Sequence, residues 1–332
     1  MRKLWLFVLS FLLMCNSAFA DDMNKLIKKI NYLNETINIV GLPDFPPFSY
    51  YDPKLGILGW TGAFVKPMIN AMQELNIKNE FGIVSSGEMP SVKMLLIEVR
   101  AGTYQLFIGA NSDTKLYKGL ELIYPSIISN PIHVITLPDK QANLKSYNDL
   151  KNYRGVASRE EYFSDFVLRK LKEANVKFVD TSYEAYEKLF TDEADFMIGG
   201  LYYNKIMSSR YGLERYLAFS RKPLYKTPIF LALSKVMPKL SEYQKAFQQI
   251  FSSPEFANAV KQEIIRIVDD ELTKNDGIVP PSFAKDVSDG TSNTQISVEE
   301  TNNNIENNMN SGHIIEEREA PKKTFDEVLK GL

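Results

Sequence analysis

The side chains able to do chemistry are few, and their types exclude more than they allow. The chain holds two histidines, His133 and His313, and one cysteine, Cys15. A His-based metal cluster or a nucleophile and base pair cannot be assembled from so small a set. The sequence has neither a glycine-rich phosphate loop of the usual form nor a Gly-x-Ser-x-Gly elbow, which removes two further reaction types. Carboxylates are plentiful, but a catalytic pair needs closeness in space that sequence does not establish. No catalytic residue, metal ion or cofactor is therefore expected. What remains is non-covalent capture by polar and aromatic side chains.

Charge narrows the class of partner. The whole chain is −2, and residues 285–332 carry five basic and ten acidic side chains. The body before that tail is nearly neutral, so it lacks the basic footprint on which nucleic-acid binding relies. A small-molecule ligand is the expected partner, nucleic acid is not, and the protein is expected to be a monomer.

Residues 1–20 read as an export signal. Arg2 and Lys3 precede an apolar stretch from Leu4 to Cys15, and Ala18-Phe19-Ala20 fits a small-x-small cleavage site before Asp21. The apolar stretch is too short to span a membrane, which takes about 20 residues. The expected location is the periplasm. Cleavage also removes Cys15, so the mature chain offers no thiol and no disulfide.

Any capturing side chains must be positioned by an alternation of strands and helices. Strands are expected at 37–40, 80–84 and 104–108, with helices at 62–75 and 91–100 whose apolar residues recur at helical spacing. From about His133 the pattern restarts. Strands at 133–137, 155–157, 177–180 and 195–198 alternate with helices at 146–151, 160–174 and 183–190. Two segments, 124–131 and 218–227, read as crossings between lobes. A strand at 228–233 and helices at 241–251 and 255–272 follow. Such alternation predicts parallel sheets flanked by helices, here one sheet in each of two lobes. In open sheets of this kind ligands sit beyond the carboxyl ends of strands, which directs attention to the loops at Asp44, Asn111, Ser158 and Gly200. The composition past Pro280-Pro281 turns to Asn, Ser, Thr and Glu, and disorder is expected over 281–332, with 324–332 able to form a short terminal helix.

The order of elements and several phrases resemble the type II periplasmic solute-binding proteins, in particular family 3, which delivers polar amino acids to ABC transporters. The phrases are Phe45-Pro46-Pro47-Phe48-Ser49-Tyr50, Gly59-Trp60, Ala101-Gly102-Thr103-Tyr104-Gln105-Leu106 and Phe219-Ser220-Arg221-Lys222-Pro223-Leu224. The resemblance covers about 37–272. It implies a two-lobed α/β fold, with 21–128 and 227–280 in lobe 1 and 129–226 in lobe 2, joined by two hinge crossings. It also implies a hinge that closes on a solute and an inner-membrane ABC permease as partner.

On this resemblance Phe45 supplies an aromatic wall, and Asn111, Ser112 and Thr114 supply contacts at a strand end. Trp60 is a second wall or a staple of the helix entrance. Members that bind amino acids place an arginine shortly after that loop to grip the carboxylate; here the stretch is Thr114-Lys115-Leu116-Tyr117-Lys118, with no arginine, and Lys115 or Lys118 either holds an anion as a point charge or is a solvated lysine at a helix start. The acidic residue that meets the ligand ammonium is replaced by Gly199-Gly200-Leu201-Tyr202-Tyr203, where Gly200 and Tyr202 face the ligand. Ser158, capping the helix expected from Glu160, and Arg159, neutralised by Glu160 and Glu161 or free to bind, complete the set. The same fold resembles periplasmic dehydratases of the cyclohexadienyl type, for which Glu88 would be the acid. A non-transport sensory or interaction adaptor is a third possibility.

Overall fold

The computed structural model describes residues 36–52, 59–82, 91–140 and 147–284. The export signal, Glu88, His313 and the terminal 324–332 segment lie outside them. Among the described residues, twelve strands and eight helices alternate. The first part contains β1 (Ile37–Gly41), β2 (Asp44–Phe45), β3 (Ser49–Tyr51), β4 (Trp60–Thr61), α1 (Val65–Glu74), β5 (Asn79–Phe81), α2 (Val92–Ala101) and β6 (Leu106–Ala110). A long strand, β7 (Leu120–Thr136), leads into α3 (Tyr147–Leu150), β8 (Gly155–Ser158), α4 (Asp165–Glu173), β9 (Lys177–Val179), α5 (Ser182–Phe190), β10 (Phe196–Gly200) and α6 (Leu201–Arg210). The chain returns through β11 (Ala218–Phe219) and β12 (Tyr225–Ser234) to α7 (Leu240–Phe251) and α8 (Pro254–Lys274).

Two separate sheets are expected from the sequence, but the hydrogen bonds form one, in the order β5-β1-β6-β12-β7-β10-β8-β9, with β11 against β7. The cause lies in the crossings. Residues 124–131, which carry Pro125 and Pro131, form the middle of β7 and pair antiparallel with β12 across both halves, from Leu120 opposite Ser234 to Ile132 opposite Tyr225. The register shifts between Ile229 and Leu231. A bulge of this kind bends the strand that carries it, so the two parallel three-stranded blocks, β5-β1-β6 and β10-β8-β9, share a bent central ribbon. A second small sheet, β2-β3-β4, stands beside the first block.

Helix boundaries follow local capping. Ser91 and Thr181 each accept a backbone N–H three residues on, and Gly102 ends α2 in the left-handed region (φ 84°). One boundary moves. The helix expected from Glu160 begins at Asp165, because Ser164 is its cap, accepting from Val167 N at 3.2 Å. The tail boundary moves too. Ser282–Ala284 forms a short turn whose Ala284 is buried in the second block's core. Phe283 stacks edge-on against Tyr183 at 5.4 Å, and this apolar anchor orders residues that composition alone assigns to the tail.

Candidate functional site

A cavity of about 50 Å3 lies beside the central ribbon, at the carboxyl end of β6. Its walls come from both halves of the sheet. The first half contributes Phe45, Asn111, Thr114 and Tyr117, the second half Tyr162 and Phe163, and the ribbon Thr227 and Ile229. Phe45 packs on Phe48 with ring centroids 4.8 Å apart and meets the edge of Tyr162 at 5.4 Å. Phe48 in turn meets Tyr202 edge-on at 5.8 Å. A polar contact ties the halves in the same region, Lys115 N donating to Asp165 Oδ2 at 3.1 Å. The halves are therefore closed on one another, and the cavity is what their aromatic side chains leave between them.

Two polar groups of the lining are buried without a hydrogen-bond partner among the described residues, Asn111 Nδ2 and Thr227 Oγ1. Asn111 is 7% exposed and Thr227 4%. Asn111 is fixed by its other side-chain atom, since Oδ1 accepts from Asp113 N at 3.0 Å, which aims the amide group from the loop after β6. Thr227 is fixed by the ladder between β12 and β7. An unpaired buried polar group costs about 1–3 kcal/mol, so each of these is a standing invitation to a hydrogen-bonding solute or water.

The turn after β8 in the second half is organised differently, with its polar groups paired. In the turn after β8, Glu161 accepts Gly200 N at 2.6 Å through Oε2 and Asn204 Nδ2 at 2.8 Å through Oε1. Asn204 Oδ1 accepts Tyr186 Oη at 2.9 Å. Glu160 Oε2 accepts Ser182 N at 2.7 Å and Ser182 Oγ at 2.8 Å. Burial pushes Glu161 up to about 8, against the pull of the two N–H donors. Gly199 makes the network possible, because a Cβ there would collide with Asn204 Nδ2 and Glu161 Oε1. Across the seam, burial and then the negative charge of Glu160 raise the Asp44 carboxyl above its ordinary value, while Arg210 opposes them.

The residues singled out in the sequence separate accordingly. Phe45, Asn111 and Thr114 line the cavity. Ser112 and the Lys115 side chain are exposed. Arg159 is exposed and pairs with Asp180 at 2.8 Å, not with Glu160 or Glu161. Trp60 is buried, donating Nε1 to Gly82 O at 2.8 Å and packing edge-on against Tyr51. Ser158 is buried and its Oγ accepts Glu160 N at 3.1 Å, so it stabilises a turn and caps no helix. Gly200 gives its N–H to Glu161, and Tyr202 is buried against Phe48.

Sequence reasoning missed Tyr117, Tyr162 and Thr227 as lining residues, and Glu161 and Asn204 as a network. The signals present were weak. Tyr162 follows the Glu160-Glu161 pair by one residue, and Thr227 ends a segment read as a crossing.

Among the described residues no helix is long and apolar enough to cross a membrane, and no group of His, Cys, Asp and Glu could hold a metal ion. No protein-family model matches this sequence, and no curated protein is significantly similar to it. Solved structures are similar in shape. The periplasmic VFT2 domain of BvgS from Bordetella pertussis has a TM-score of 0.55 at 15% identity, over 73% of this chain and 97% of that one. A putative ABC-transporter binding component from Wolinella succinogenes, complexed with lysine, has a TM-score of 0.54 at 16% identity, over 71% and 96%. An ancestral amino-acid-binding protein, AncCDT-1, described as a precursor of cyclohexadienyl dehydratase, has a TM-score of 0.50 at 15% identity, over 72% and 98%. At such identities the likeness is one of architecture, and the chain has the mixed α/β, two-lobed fold of the type II periplasmic solute-binding proteins.

Proposed function

We propose that this chain is an exported receptor that shuts its two lobes over a small polar solute, an amino-acid-like compound or related metabolite, and presents it to an ABC-type permease. One observation carries the reading. Two residues that line the same cavity between the lobes, Asn111 and Thr227, each carry a buried polar atom without a partner among the described residues, Nδ2 and Oγ1. What sets this pair apart from other unpartnered buried atoms, such as His133 Nε2 and Ser234 Oγ, is that both residues line one cavity, where a ligand can satisfy them.

The paired ribbon of β7 and β12 supports closure about a hinge. Its bulge at Phe230 sits where the two parallel blocks part, and rotation there would separate Phe45 from Tyr162 and open the cavity. The proteins of like shape include one complexed with lysine and one complexed with L-arginine, which supports a solute-binding role. Lobe 1 is assigned to 21–128 and 227–280 and lobe 2 to 129–226, with residues 282–284 docked on lobe 2.

The test is a metabolite panel, including all amino acids, screened against the full mature chain by thermal shift, with small-angle scattering for the hits. A solute that raises Tm and shifts the scattering curve toward a more compact particle is expected. A panel that moves neither quantity overturns the receptor reading. Prephenate or arogenate consumed without any binder elsewhere would make the protein an enzyme.

A further inference from the structure

The cavity's lining also constrains what can occupy it. Resting on the receptor reading above, we propose that the part of the solute held between the lobes is uncharged, a small amide or closely related neutral carbonyl on an apolar body. Asn111 Nδ2 is a donor suited to a carbonyl oxygen, and Thr227 Oγ1 can accept an amide N–H or donate to a second oxygen. The rest of the lining is aromatic or aliphatic, with Phe45, Tyr117, Tyr162 and Ile229 at its centre.

No charged side chain is among the described residues that line the cavity. Lys226, next to Thr227, is not part of the lining, and three other cations near in sequence are at the surface. Lys115 and Lys118 are exposed, and Arg159 is engaged by Asp180 on the surface. In the stretch that carries the two lysines, the side chains presented to the cavity are Thr114, Leu116 and Tyr117. The start of α6 in the second lobe is a natural anion site, since its first N–H groups have no helical partner. There the chain fills the position with its own carboxyl group, that of Glu161, which accepts Gly200 N and Asn204 Nδ2. The carboxylates nearest in sequence to the cavity, Asp44 and Asp113, are not part of its lining.

An ion in this space would lose its water and find no counter-charge, a strongly unfavourable exchange. A neutral amide would satisfy the two unpartnered groups and lose little. Size points the same way. At about 50 Å3 the cavity is well below the ~150 Å3 of an engineered apolar cavity that takes benzene, so it holds a group of a few heavy atoms, and any larger body extends through its open side.

The experiment compares propionamide, propionate, propylammonium and alanine, which are of similar size and differ in charge, against the full mature chain by ligand-observed NMR at fixed ionic strength. Propionamide is expected to bind at least about tenfold more tightly than any of the three charged compounds. Thr227→Val, which keeps the side chain's shape, is expected to lose that preference. Asn111→Asp, which retains the acceptor for Asp113 N, is expected to transfer the preference to propylammonium. Propionate, propylammonium or alanine binding the unaltered protein as tightly as propionamide overturns the proposal and leaves the receptor reading intact. Should only a member of the wider metabolite panel bind, its charge at the cavity decides in the same way. If nothing in either set binds, both readings fall together.

Discussion

Around the cavity and around the turn after β8 buried polarity is handled in different ways, although the second lobe also leaves His133 Nε2 and Thr136 Oγ1 without partners among the described residues. On the first lobe and ribbon, Asn111 Nδ2 and Thr227 Oγ1 are left without partners beside a small cavity. On the second lobe, Glu160 is satisfied by Ser182, and Glu161 by Asn204 and the Gly200 amide, in two adjacent hydrogen-bonded clusters. A satisfied network fixes geometry and resists change; unsatisfied groups store affinity for something else. On the proposed receptor reading this contrast is a division of labour, in which the second lobe is a rigid jaw and the first lobe with the ribbon carries the recognition.

The largest effect should come from breaking the rigid jaw at its tightest point. Gly199→Ala would drive a methyl group into Asn204 and Glu161, at a cost of about 3 kcal/mol for an overpacked interior. Urea unfolding of the two proteins measures it. A loss under half of that would mean the network has slack and the jaw is softer than its hydrogen bonds suggest.

Asn204→Leu attacks the same network without overpacking it. It strips one Glu161 oxygen of its partner and leaves the Tyr186 hydroxyl only the longer bond to the backbone carbonyl of residue 204 at 3.3 Å, and about 2 kcal/mol should be lost. The pH dependence sharpens the point. Glu161 sits at about 8 when folded, against an ordinary value of 4.5. Between those values the folded chain holds a proton that the unfolded chain has released. Its contribution to stability is therefore complete below about pH 4.5 and is lost as pH rises through about 8. Glu161→Gln removes that titration, so relative to the unaltered protein its stability should improve from about pH 5 to about pH 8 and level off above that. Parallel slopes for the two proteins over this range would show that Glu161 ionises normally and that the N–H donors outweigh burial.

How much of this was legible in the sequence follows from where each signal resides. Helices with one buried face, such as α2 with Leu95, Leu96 and Val99 inward, announce themselves by spacing, and their caps Ser91 and Thr181 mark the starts. Helix α6 does not. It buries Asn204, Lys205, Ser208 and Ser209 along with Leu201, Tyr202 and Ile206, so polar and apolar residues share its hidden faces and no period survives. The residues 160–164 look helical but are drawn into a turn by bonds to Ser182 and Gly200, made by residues 22 and 39 positions away. Strand β7 is disguised by Pro125 and Pro131, because its pairing with β12 is a tertiary fact. The cavity repeats the lesson. Phe45, Asn111 and Thr114 could be named because they follow strands, whereas Tyr162 and Thr227 matter only through what they face.

The smallest expected effect is also the one that separates the two sides most cleanly. Thr227→Val deletes one hydroxyl from the lining and changes little else, since valine has the same shape and favours a strand, and the backbone pairing of Thr227 with Asn130 is untouched. If the Thr227 hydroxyl is unpartnered in the closed protein, removing it relieves a desolvation cost, and the variant should be more stable by ~1 kcal/mol. Thermal unfolding of the ligand-free chain would show the gain as a raised Tm, in a direction opposite to Asn204→Leu although both changes replace a buried polar residue with an apolar one. A loss of stability comparable to that of Asn204→Leu would mean that Thr227 is already satisfied, and the distinction between a recognising side and a rigid side would disappear with it.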